Sequence, residues 1–80
     1  MYDYTIYPEA DRERFYKQCQ KIERQVNGLK KYETIETFDD TLIQIYQYPR
    51  GEIVVKNDEL TGALYVKSDI DLAQFDALLF

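Results

Sequence analysis

Eighty residues with 15 acidic and 10 basic side chains leave room for one modest core and no second domain, and a net charge of −5 opposes any general affinity for nucleic acid. Hydrophobic residues at 45%, eight tyrosines and four phenylalanines among them, exclude a disordered chain. With no histidine and a single cysteine, the commonest general base, the commonest transition-metal ligand and an internal disulfide are all missing.

One domain over residues 1–80 is expected, with the element order of an α+β fold. Tyr2, Tyr4 and Ile6 alternate with Asp3, Thr5 and Tyr7, which predicts a short N-terminal strand. Phe15, Cys19, Ile22, Val26 and Leu29 then recur on a 3.6-residue period and predict one long amphipathic helix near residues 9–27. Pro8 suits its first position, Glu9 and Asp11 its positive end, and Asn27-Gly28 its stop. Arg14, Lys17, Lys21 and Arg24 fall opposite the apolar stripe, on a face that suits solvent or phosphate.

Four apolar runs follow, separated by turn residues, and predict a four-stranded antiparallel meander. A loop at Asp39-Asp40-Thr41 sets Ile35 against Ile45 and Thr34 against Tyr46. A three-residue loop at Pro49-Arg50-Gly51 sets Ile45 against Val55 and Tyr46 against Val54. A turn at Glu59-Leu60 sets Ile53 against Val66 and Glu52 against Lys67. These registers give one aliphatic face, Ile35, Ile43, Ile45, Ile53, Val55, Leu64 and Val66, to be covered by the helix stripe. The second face is amphipathic, with Tyr32, Phe38, Leu42, Tyr46, Tyr48, Val54 and Tyr65 among polar residues that include Glu36 and Glu52. Beyond it, Ser68 and Asp71 in capping-box-like spacing, then Leu72, Phe75, Leu78 and Leu79 along one side, predict a short C-terminal helix over 69–80.

From residue 9 onward the order helix, strands, helix resembles the double-stranded-RNA-binding domain. That family reaches phosphates with lysines at the start of its second helix, where this chain has Ser68, Asp69, Ile70 and Asp71. The acidic start repels phosphate, and the leading strand and the fourth strand of the meander are further departures, so membership is rejected.

Catalytic chemistry finds little to work with. Cys19 lies in the helix stripe and is expected to be a buried core thiol. Asp39-Asp40 and Asp69/Asp71 are carboxylate pairs placed by a hairpin turn and a helix start, with no third ligand or base at a useful spacing. Gly28, Gly51 and Gly62 belong to caps and turns and build no phosphate loop. No enzyme, cofactor or metal is expected.

Charge is unevenly spread, since residues 9–31 hold seven basic and four acidic groups while residues 32–80 hold three basic and ten acidic. The expected function is therefore recognition by a small acidic protein-binding domain, with Tyr32, Tyr46, Tyr48 and Tyr65 as contacts and Glu36, Glu52, Asp39 and Asp40 steering the approach. A sharper form is an inhibitor that blocks a basic, nucleic-acid-handling partner, as small acidic anti-restriction or anti-CRISPR proteins of phages and mobile elements do; the comparison is one of size, charge and chemistry. Two alternatives stand beside it: a structural homodimer or small subunit using the tyrosine face or the apolar end Leu78-Leu79-Phe80, and nucleic-acid binding through the basic helix face. No basic stretch followed by an apolar run opens the chain, and no apolar stretch approaches the roughly 20 residues that span a bilayer. A cytoplasmic protein is expected.

Overall fold

The computed structural model describes residues 1–75 and is α+β: one helix packed on a six-stranded antiparallel sheet. In chain order the elements are β1 (Tyr2–Tyr7), α1 (Arg12–Gln25), β2 (Lys30–Lys31), β3 (Ile35–Glu36), β4 (Leu42–Tyr48), β5 (Gly51–Asp58) and β6 (Ala63–Ser68), then a 3-10 turn at Leu72–Gln74. The sheet runs β1-β6-β5-β4-β2, with β3 also paired to β4. The expected first strand is present and extends the meander at β6. The expected second strand is broken into the two short pieces β2 and β3, so the strand count is six rather than four plus one.

Helix α1 starts later than the spacing suggested, because the side chain of Asp11 accepts from the Arg14 backbone N–H and caps it there. The backbone N–H of Asp11 in turn donates to Oδ1 of the fully buried Asn57 on β5, which ties the helix start to the middle of the sheet. Phe15, Cys19, Ile22 and Val26 are buried as the stripe requires, and Gly28, at φ +79°, follows the helix end. They close over Leu42, Tyr46, Ile53, Val55, Leu64 and Val66. No described helix is long and apolar enough to cross a membrane.

The register of β4 on β5 differs from expectation by one residue, and that slip turns β4 over. Tyr48 pairs with Gly51, Tyr46 with Ile53 and Gln44 with Val55, so the loop is the two residues Pro49-Arg50 and Gly51 belongs to the strand. Proline at the first central position, with glycine closing the turn, makes the short loop feasible. Because side chains alternate with period two, Leu42, Gln44 and Tyr46 point into the core, and Ile43 and Ile45 point out. The β5–β6 register slips by two, pairing Val55 with Val66 and Val54 with Lys67, and therefore keeps every side chain on its expected face. Ile35 pairs with Ile43 instead of Ile45, a slip of two that keeps it beside its expected strand-mates, but because β4 is turned over Ile35 goes with them to the uncovered face and is 46% exposed rather than covered by the helix.

Two buried polar side chains make the inverted β4 tolerable. Gln44 donates from Nε2 to the carbonyl oxygen of Tyr32 at 2.5 Å and accepts from the Thr34 hydroxyl at 2.5 Å, which pins the irregular chain between β2 and β3. Tyr46, with 0% exposure, donates its hydroxyl to the Glu23 carboxylate on α1 at 2.5 Å.

Of the C-terminal helix expected over 69–80, residues 76–80 lie outside the described residues. Within 69–75 the chain makes only the 3-10 turn, capped by the Asp71 carboxylate on the Ala73 N–H. Leu72 is buried in the helix-side core, and its N–H donates to the Tyr4 hydroxyl at 3.0 Å.

Cys19 is buried, as its place in the stripe implies, and burial pushes its thiol up to about 11. The native protein is expected to resist alkylation at pH 8 and to react fully once unfolded in urea, because only the thiolate is nucleophilic. Mass spectrometry of iodoacetamide-treated samples checks this; rapid native labelling would mean that the core opens around Cys19.

Candidate interaction surface

Helix α1 covers one face of the sheet, and the other face has no described element packed on it. Its composition follows from the pairing. One row runs Thr5, Tyr65, Lys56, Ile43, Ile35, and the next runs Asp3, Lys67, Val54, Ile45. Ile43, Ile45, Val54 and Tyr65 are half-buried and Ile35 is 46% exposed, so the middle of this outer face is apolar. The ammonium groups of Lys56 and Lys67 stand 5.9 and 5.7 Å from the Tyr65 ring centre, near enough for cation–π attraction.

At one end of this face two hairpin tips lie side by side. The Thr41 hydroxyl accepts from the Glu59 N–H at 3.1 Å and holds the β3–β4 turn against the β5–β6 turn. From the first tip Phe38 projects fully into solvent; from the second, Leu60 is 81% exposed. Between them is a hollow of about 200 Å³ bordered by Thr41, Ile43, Lys56 and Leu60. The first tip is a formed turn. Asp39 accepts from the Thr37 hydroxyl and from the Thr41 N–H, and Asp40 takes a left-handed conformation at φ 65°. The Thr37 hydroxyl bond is the main reason the Asp39 carboxyl is held below its ordinary range. In the second tip, Asp58 accepts from the Leu60 and Thr61 N–H groups; burial raises its carboxyl, but these bonds and Lys56 more than offset that, and the net direction is down.

The carboxylates at this end divide into two sets. Glu36 is matched by Arg12 at 3.0 Å and Asp58 by Lys56 at 3.8 Å. Asp39, Asp40 and Glu59 form no close ion pair among the described residues, although Lys56 and Arg12 act at longer range on Asp39 and Asp40, so this end of the molecule presents two bare apolar side chains beside an excess of negative charge.

The tyrosines expected as one contact face are dispersed. Tyr46 is a core residue and offers no surface, a direct result of the one-residue slip. Tyr48 is half-buried on the helix side, where with Tyr2, Arg50 and Phe75 it borders a cavity of about 460 Å³. Tyr65 is on the outer face. Tyr32 is exposed in the break between β2 and β3 and donates to Oε1 of the outer-face Gln47 at 2.6 Å. Of the four carboxylates, Asp39 and Asp40 are at the tips, Glu36 leans to the helix and Glu52 lies at the opposite end of the sheet. Phe38 and Leu60 are the exposed apolar side chains of the two tips, which the spacing did not single out. The available signal was a large apolar residue inside a hairpin turn, beside Asp39-Asp40 in one case and after Glu59 in the other.

The basic helix face is partly occupied from within. Arg14 lies 3.9 Å above the Tyr7 ring and 3.5 Å from Asp11, and Lys17 pairs with Glu13 at 3.0 Å; beside the helix, Lys31 of β2 pairs with Glu23 at 3.1 Å.

No protein-family model, curated protein or solved structure matches this chain. The fold defines the class, a small α+β domain with one helix on an antiparallel sheet whose other face no described element covers.

Proposed function

We propose that this chain is a non-enzymatic protein-binding domain that docks on a basic protein through the paired hairpin tips. The observation that carries the reading is the exposure of Phe38 and Leu60 on adjacent tips. Single exposed apolar side chains are ordinary, but two on adjacent tips at the end of a sheet face that is itself apolar offer a patch of the kind that marks interaction sites. Their surroundings state the partner's chemistry. Asp39, Asp40 and Glu59 favour a positively charged surface with an apolar recess, and they accelerate encounter in a salt-dependent way. The outer sheet face, with Ile35 and Ile43 leading away from the tips, extends the same footprint. In the sharper form of this reading the partner handles nucleic acid and the carboxylates stand where phosphates bind, so the domain acts as an inhibitor and duplex DNA competes with it.

A photo-crosslinking side chain at position 38 or 60, in lysate of the source cells, is expected to capture one protein of net positive charge, with yield falling as salt rises. The same group at Arg24, on the outer side of α1, is expected to capture nothing specific. Anchors of this type contribute about 2 kcal/mol each, so Phe38→Ser with Leu60→Ser is expected to weaken binding by about 100-fold or more while the melting temperature stays put. Equal capture from position 24, or undiminished binding by the doubly substituted chain, would remove the tips from the interface.

A further inference from the structure

The two edges of the sheet are unlike. On one side β2 and β3 are two residues each, interrupted by the chain that Gln44 holds, and offer no continuous edge. On the other side β1 runs six residues, contains neither proline nor a basic residue, and departs from regular pairing only by the irregularity between Thr5 and Tyr7. Among the described residues nothing pairs with its free side. An edge of this kind leaves a row of backbone donors and acceptors that another extended segment completes.

We propose that β1 pairs antiparallel with the β1 of a second copy, about a two-fold axis at Tyr4. The pairing with β6 sets the faces: Tyr2 and Tyr4 oppose Ser68 and Val66 on the helix side, and Asp3 and Thr5 oppose Lys67 and Tyr65 on the outer side. Antiparallel partners must share a face, so β1 meets its own copy only in registers that place a residue opposite itself. Centring on Asp3 sets two carboxylates against each other, which disfavours that register. Centring on Tyr2 leaves too few paired residues, and centring on Thr5 opposes Asp3, on the outer face, with Tyr7, which the irregularity turns to the helix side against Leu64. Centring on Tyr4 is what remains. It pairs residues 3–5 regularly, with Tyr2 opposite Ile6 at the irregularity, sets each Asp3 against Thr5 of the other copy, and brings the Tyr4 rings together. Tyr2 and Tyr4 already stack in one chain, 6.5 Å apart and 7° from parallel, so the aromatic row continues across the axis. The hairpin tips remain free, and the dimer neither requires nor competes with the surface proposed above.

Sedimentation equilibrium of the full chain, from micromolar to near-millimolar concentration, is expected to show a monomer–dimer equilibrium, with amide exchange along β1 slowing as the dimer fills. Thr5 is exposed on the outer face, so its substitutions leave the fold intact. Thr5→Asp places a carboxylate opposite Asp3 of the other copy at two symmetric positions and is expected to weaken dimerisation by about tenfold or more. Thr5→Lys places an ammonium group there and is expected to bind at least as tightly as the parent. A monomer throughout the range overturns the proposal. So does a dimer indifferent to Thr5→Asp, a dimer that Thr5→Lys weakens equally, or β1 amides protected to the same degree at every concentration.

Discussion

Tyr46→Ala is expected to destabilise the domain by about 3–5 kcal/mol, the range for removing a large buried aromatic side chain. Domains of this size have roughly 4–12 kcal/mol in all. The melting temperature should fall by about 15 °C or more, and the variant should be partly unfolded at body temperature. The ring fills the space between β4 and α1 at 0% exposure, so its loss leaves a cavity beneath Cys19 and Ile22 that the sheet is too constrained to close. Tyr46→Phe isolates the polar part. It keeps the packing but removes the hydroxyl that donates to Glu23, and is expected to cost about 1–3 kcal/mol, the range for a hydrogen bond to a charged group. Urea titration of the three proteins measures both quantities. A loss under about 1 kcal/mol for Tyr46→Ala would return Tyr46 to the surface and restore the three-residue loop.

The same contact has a pH signature. Burial alone raises the Glu23 carboxyl, but bonds from the Tyr46 hydroxyl and the Lys31 ammonium reverse the direction and hold it below the ordinary value of 4.5. Asp39 and Asp58 are likewise held below the ordinary 3.8. A carboxylate whose folded value is depressed stabilises the fold above its unfolded value and gives that up as pH falls through the folded one. Stability from these groups is therefore expected to be fully present above pH 4.5 and to decline below it. Tyr46→Phe should flatten the upper part of the decline, because Glu23 has then lost one of its two donors.

Local pattern was enough for the elements and not for their registration. The stripe from Phe15 to Val26 announces α1, and alternation at Tyr2–Tyr7 announces β1, because burial on one face of one element leaves a period that can be counted. Register depends on the length of a turn, and Tyr48-Pro49-Arg50-Gly51 is compatible with two lengths. Hydropathy favours the wrong one. It places Ile43 and Ile45 inside, whereas the structure buries Gln44 and Tyr46 and satisfies them with Glu23, Tyr32 and Thr34, residues 10 or more positions away along the chain. Such compensation has no local signature. The β5–β6 pairing shows the converse: a two-residue error preserved the faces, so Val54, Lys56, Tyr65 and Lys67 were placed on the correct side. The candidate site was legible only at Asp39 and Asp40, because turn carboxylates are a local signal, while the exposure of Phe38 and Leu60 depends on how the two tips meet.

Gly51 is where that register is enforced, and Gly51→Ala is expected to destabilise the domain by about 2–3 kcal/mol. Two effects combine. The residue holds φ at +146°, a region that side chains strain to enter. A Cβ there also collides with the Asp69 side chain, 2.6 Å from Oδ2 and 2.9 Å from Cγ. Asp69 is not free to withdraw without loss, since its carboxylate accepts from the Glu52 N–H at 2.9 Å and its own N–H donates to the Glu52 carbonyl at 3.0 Å. The strain is intrinsic to the backbone, whereas the collision belongs to the pair, and a double-mutant cycle separates them. Asp69→Gly alone should cost little more than its bond to Glu52. Combined with Gly51→Ala it should recover about 1 kcal/mol, the coupling expected of residues in direct contact. Strict additivity would leave backbone strain as the sole cause. An unchanged urea midpoint for Gly51→Ala would place Gly51 in a relaxed turn, and the sheet face carrying Ile43 and Ile45 would then have to be reassigned to the core.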